Sequence, residues 1–237
     1  MSRFAASVVS LLCILGPAAQ ASAGSVTGKV VYEGKVPTFT PIDMNADPKC
    51  KAKNPSPVMP EVLVLGDQSR MLNVLVSVVT AFPGKTFPAP KEPAVIQQHG
   101  CVYQPHLIGV MAGQELLFKN ADGMLHNVHA LPVQNRPFNI GMPPTLKEKG
   151  KVLDLPEAAF RVKCDVHPWM QAYVAVLSHP FFAVTGSDGT FQIKDLPAGT
   201  YEIEAWHEKL GTRKASVTVG EGDTKTLDFT FGVPKAQ

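Results

Sequence analysis

Residues 160–176 read FRVKCDVHPWMQAYVAV, and their pattern decides the fold. Phe160, Val162 and Cys164 alternate as the inward face of a strand does, and Ala172, Val174 and Val176 do so again further on. Between these runs Pro168 directly follows His167, and the residue before a proline is pushed out of the α region, so a helix is excluded there. The stretch is strand, tight loop, strand, with Cys164, His167 and Met170 projecting from one loop. Similar short runs recur on both sides: Val62 to Leu65, Leu72 to Thr80, Ala94 to Gln97, His106 to Val110, Glu115 to Lys119, His126 to Leu131, and five more after Pro180. The 19 glycines and 21 prolines punctuate the chain without a period, and no run supports an amphipathic helix of more than about three turns. The expected fold is all-β, built from two sandwich-like units.

The 237 residues are 45% hydrophobic and 18% charged, enough apolar side chain for a core in each unit. A formal net charge of +2 argues against a phosphate-neutralising nucleic-acid binder. Residues 1–23, MSRFAASVVSLLCILGPAAQASA, have the layout of a cleavable secretory signal: an early cation, an apolar run and a small-residue site at Ala21-Ser22-Ala23. No later segment approaches about 20 uninterrupted apolar residues, so no membrane span is expected after cleavage. The expected location is periplasmic or secreted. Cys13 leaves with the signal; Cys50, Cys101 and Cys164 stay, in an oxidising setting. Three is odd, so one thiol is free, paired between molecules, or bound to something.

Cys164-x2-His167-x2-Met170 offers a thiolate, an imidazole and a thioether from one loop. These soft donors suit copper cycling between two oxidation states better than zinc, which wants four Cys or His ligands. A further imidazole must come from elsewhere, and NADGMLHNVHA, residues 120–130, supplies His126. Two imidazoles and a thiolate with a weak axial methionine describe a type 1 copper site for one-electron transfer. His129 points away from His126 on a strand and reads as a sheet-face histidine, though it is the substitute if His126 fails. His99 and His106 read as loop and strand-surface residues. There is no metallopeptidase motif, no nucleophile with an adjacent base and no glycine-rich phosphate loop.

HNVHA preceded by NADGML, CDVHPWM followed by a β run, and the upstream CVYQPHLIGVMAGQELLFKN together resemble the cupredoxins, in particular the amicyanin and pseudoazurin group, from Lys91 to Ser178. The resemblance implies one copper ion held by His126, Cys164, His167 and Met170, with the backbone amide of Asn127 bonded to the thiolate sulfur. It also implies that His167 lies on an exposed loop, where Met124, Leu125, Pro168 and Trp169 would form an apolar docking patch. With Cys164 taken as ligand, Cys50 and Cys101 remain as a disulfide pair.

GSDGTFQIKDLPAGTYEIEAWHE, residues 186–208, pairs two alternating strands with tight turns and resembles the carboxypeptidase regulatory-like domain, a transthyretin-like sandwich. SVTGKVVYEGKVP, from Ser25, is a weaker likeness to its opening strand. The expected organisation is a discontinuous sandwich of residues 24–90 and 179–232, a copper-binding insertion at 91–178 and a tail at 233–237; a simple tandem is the alternative. His179, His207 and Glu208 offer donors for a second metal, but no matched third ligand, and read rather as packing residues and a solvated edge. The expected function is exported one-electron transfer, not catalysis, with a cytochrome c or an amine-oxidising or other periplasmic dehydrogenase as redox partner. Such partners bind through small interfaces, here with little electrostatic steering. The alternatives are periplasmic copper handling, as chaperone or store, and a cell-surface binding module with structural copper.

Overall fold

The computed structural model describes residues 22–232. The expected signal segment, with Cys13, lies outside the described residues except for Ser22 and Ala23, and the 233–237 tail lies outside them as well. Among the described residues the chain is all-β apart from a six-residue helix, Pro48–Lys53, and one 3-10 turn, Asp67–Ser69. No described helix is long and apolar enough to cross a membrane.

Four sheets stack as two sandwiches. The first sandwich pairs Thr190–Leu196, Gly24–Glu33, Thr224–Thr226 and Phe229–Gly232 in one sheet, and Phe182–Val184, Leu75–Val78, Gly199–His207 and Gly211–Val219 in the other. Its core holds Val26, Val30, Val76, Ile203 and Phe231, each fully buried. In the second sandwich the first sheet joins Val102–Gln104, Ala94–His99, Glu115–Asn120 and Glu148–Val152. Its five-stranded facing sheet runs Leu107–Met111, Gln171–Leu177, Glu157–Lys163, His126–Ala130, Phe138–Met142. The alternation read at 160–176 is the core face of this sheet: Val162, Ala172 and Val174 are fully buried. Met44 and Cys50, from the Pro-rich stretch within residues 24–90, pack in this second core rather than the first.

The sandwiches meet face to face. Tyr173, Ala175 and Leu177, the reverse face of the 171–177 strand, pack with Leu107 against Leu75, Phe182, Val184 and Trp206. The strand Leu75–Val78 is therefore buried on both faces, Ser77 included. Gly109 makes the approach possible, because a Cβ there would stand 2.6 Å from the Phe182 ring.

Three local expectations change. Val62 to Leu65 forms no strand and makes a single bridge, Leu65 to Met71. The loop around Cys50 contains the helix Pro48–Lys53, started by Asp47 as N-cap with Pro48 in the first helical turn. His106 is not on the surface: it is 5% exposed, and its Nε2 lies 2.6 Å from Glu208 Oε1 across the junction of the sandwiches.

Candidate metal centre

Two loops at one end of the second sandwich converge. Asn120 organises the first: its side-chain amide donates to the carbonyls of Met124 and Met142, and its Oδ1 accepts the N–H groups of Asp122 and Gly123. Gly123, at φ 67°, takes the left-handed turn that brings the chain back into the strand from His126. The second loop closes on itself, with Met170 N–H donating to His167 O at 2.9 Å and Cys164 N–H to Met170 O at 3.1 Å. Asn127 staples the loops together: its side chain donates to Asp165 Oδ2 at 3.1 Å and accepts from Asp165 N–H at 2.5 Å.

His126, Cys164 and His167 come together, with one ligand atom of each within 4.8 Å of the others and at most 1% of each residue exposed. The two Nδ1 atoms face each other at 3.0 Å, and Cys164 Sγ lies 3.7 Å from His167 Nδ1. Asn127 N–H points at Cys164 Sγ from 3.5 Å. Met170 is fully buried in the same core. His129 turns to the other side, as period two requires, and pairs with Asp165 at 2.9 Å.

The far side of each imidazole faces a carboxylate. His126 Nε2 lies 2.9 Å from Asp122 Oδ2, and His167 Nε2 lies 3.2 Å from Asp47 Oδ2. Assigned from these contacts, both rings carry the proton on Nε2 and leave a lone pair on Nδ1. Two ring nitrogens facing at 3.0 Å beside a sulfur need a proton or a metal cation between them.

Burial pushes the Cys164 thiol up, but His126 and the N–H groups of Asn127, Val166 and His167 favour the anion more strongly and leave its pKa below the ordinary value. Burial likewise works against the Asp122 anion, yet His126 and the amides of Cys101 and Gly100 bring its pKa down to about 2. Asp47 is lowered chiefly by His167.

Both carboxylates are outer partners that sequence reading missed. Asp122 was within sight, four residues before His126; Asp47 is 120 residues from His167, and only its cap position before Pro48 was visible. Cys50 and Cys101 form a disulfide, and each half sits beside one carboxylate. Cys50 lies in the helix that Asp47 caps, and Cys101 with Gly100 forms the turn whose amides bind Asp122 at 2.8 Å. Cys164 is the free thiol among the described residues.

The expected surface around the site is different. His167 is 1% exposed, covered by Asp47 rather than open at the loop. Of the four patch residues, Leu125 and Pro168 are exposed, Trp169 is half-buried with its indole N–H on Cys101 O, and Met124 is buried. The donors considered for a second metal are spread apart in role. His179 spends one nitrogen on Val78 O and the other on Phe181 N–H, His207 accepts from Lys209 N–H, and Glu208 holds His106.

A family model described as the carboxypeptidase regulatory-like domain matches residues 167–232. That range opens at His167 and takes in Gln171–Leu177, a strand of the five-stranded sheet, before the strands of the first sandwich. No curated protein matches the chain. Among solved structures, a Cu-containing nitrite reductase from Thermus scotoductus SA-01 is 19% identical over 41% of this chain, at a TM-score of 0.34; this chain spans only 25% of it. A purple cupredoxin from Nitrosopumilus maritimus is 21% identical, covering 35% of this chain and 99% of its own, at 0.30. A Cu(I) amicyanin variant is 16% identical, covering 43% and 98%, at 0.33. The chain is thus similar to two families at once: to the carboxypeptidase regulatory-like domain over residues 167–232, and to solved cupredoxins over the smaller part that each alignment covers.

Proposed function

We propose that this chain is an exported type 1 copper protein that passes single electrons, with His126, Cys164, His167 and Met170 as ligands of one copper ion. The observation that carries the reading is the donor set: two Nδ1 lone pairs and a thiol with a lowered pKa meet in a buried pocket, while both Nε2 atoms are spent on carboxylates. Thiolate, imidazole and thioether donors suit copper, and among the described residues there is no second free cysteine for a zinc set. Bound copper supplies a one-electron couple. The chain's own residues do the rest: Asp122 and Asp47 hold the rings in one tautomer, the Asn127 amide steadies the sulfur, and the sandwich core excludes water. In this reading a periplasmic cytochrome c or dehydrogenase meets the apolar surface at Leu125 and Pro168, and the redox centre lies at 91–178 within a discontinuous sandwich of 24–90 and 179–232.

Addition of Cu(II) to the full chain tests the reading. An intense thiolate-to-copper absorption in the visible that is absent from Cys164→Ser supports it; a colourless protein rejects it. A second reading, copper holding rather than electron transfer, is favoured by one observation: Asp47 covers His167, so no ligand imidazole is open to a partner. Electron exchange with a periplasmic cytochrome on the timescale of turnover supports the carrier, and its absence with intact colour supports holding.

A further inference from the structure

Behind the two imidazoles stands the Cys50–Cys101 disulfide, and we infer that its reduced form is a second, thiol-based site for copper(I). The Sγ atoms of Cys50 and Cys101 and a ring nitrogen of His167 lie within 4.8 Å of one another, and Cys101 Sγ, an Asp122 oxygen and a ring nitrogen of His126 form a second such group. Met124 Sδ lies 3.6 Å from Cys101 Sγ, and Met44 packs in the same core. Both cysteines are fully buried. Two thiolates with thioether and imidazole neighbours in a dry pocket form a soft donor set, which selects copper(I) over harder cations.

The disulfide is closed as it stands, so the site exists in a chain that has not yet formed the bridge or has had it opened. Opening requires a dithiol reductant: its two thiols become a disulfide, the Cys50–Cys101 bond breaks, and two electrons and two protons end on the two cysteines as thiols. Copper(I) then displaces the thiol protons to solvent. Closing reverses this against a disulfide oxidant: the thiolates give two electrons to form the S–S bond, the oxidant's disulfide takes these electrons and two protons from solvent to become two thiols, and copper(I) leaves unchanged in oxidation state. The pair shares the rings of His126 and His167 with the Cys164 donor set, and bridge closure leaves those rings to the Cys164 set. The copper(I) site stands on its own geometry; only this hand-over rests on the proposed function.

The test uses the full chain as Cys164→Ser, refolded without oxygen with the bridge reduced or formed, and given copper(I) against a competing chelator. The reduced protein should retain one equivalent of copper(I), the bridged protein should retain none, and Cys101→Ser added to the reduced protein should lose it. Equal retention in the reduced and bridged forms overturns the inference. A second measurement uses the wild-type chain: copper(I) should protect Cys50 and Cys101 of the reduced protein from alkylation by iodoacetamide, and equal labelling with and without copper overturns the site. The visible band of the bridged protein with Cu(II) reports the Cys164 set separately. A band with unprotected Cys50 and Cys101 sinks only this inference, and protection without a band sinks only the function.

Discussion

Single residues set the centre, and the two carboxylates are where their effect is sharpest. Asp47 divides its oxygens between two tasks: Oδ1 caps the helix through Lys49 N–H and Cys50 N–H, and Oδ2 holds His167. Asp47→Ala should therefore cost about 1 kcal/mol in unfolding by denaturant through the lost cap. It should also weaken copper binding by about 10–100-fold in chelator competition through the lost outer partner. Asn in its place keeps a cap oxygen, so it should recover the stability. Met170→Leu should shift the reduction potential measured by voltammetry without loss of copper, because a thioether would be the weakest of the four donors; loss of the metal would show that Met170 does more than this. The loop donors were legible because Cys164, His167 and Met170 sit on one turn whose geometry Pro168 announces. Asp47 was not, since only the folded chain brings it to His167, whereas Asp122 stands four residues before His126.

At the scale of elements, the strands that were readable are the ones with a buried face. Glu148–Val152 is not legible because it lies at a sheet edge, largely open to solvent, and carries no apolar alternation; Phe138–Met142 does alternate through Phe138, Ile140 and Met142, but over only five residues at the other sheet's edge. His106 was misread for a related reason. Its partner Glu208 is 102 residues away and invisible locally, although it decides that the ring is buried. The junction of the sandwiches is as selective as their cores. Gly109→Ala places a methyl group against the Phe182 ring and should destabilise the chain by about 1–3 kcal/mol. Phe182→Leu should relieve much of this, a coupling that a double-mutant cycle reads directly; additive effects would mean that the two residues do not press on each other.

Across the whole molecule, buried histidines tie stability to pH. Burial lowers the His207 pKa to about 4, and burial also lowers His179. In the unfolded chain an imidazole takes its proton near pH 6.5, so the unfolded state binds more protons between about pH 6.5 and 4, and stability falls as pH falls through that window. The His207 share is on the order of 3 kcal/mol. Denaturant unfolding at several pH values should show His207→Gln losing less over this window than the wild type; parallel curves would contradict the assignment. His207 and His179 are not among the residues that meet at Cys164, so this loss is read separately from the candidate metal centre. The most direct check of that centre is X-ray absorption at the copper edge of the full chain loaded with one equivalent of Cu(II). A short bond to one sulfur and two imidazole nitrogens is expected, with the sulfur lost in Cys164→Ser. A shell of nitrogen and oxygen alone would contradict it.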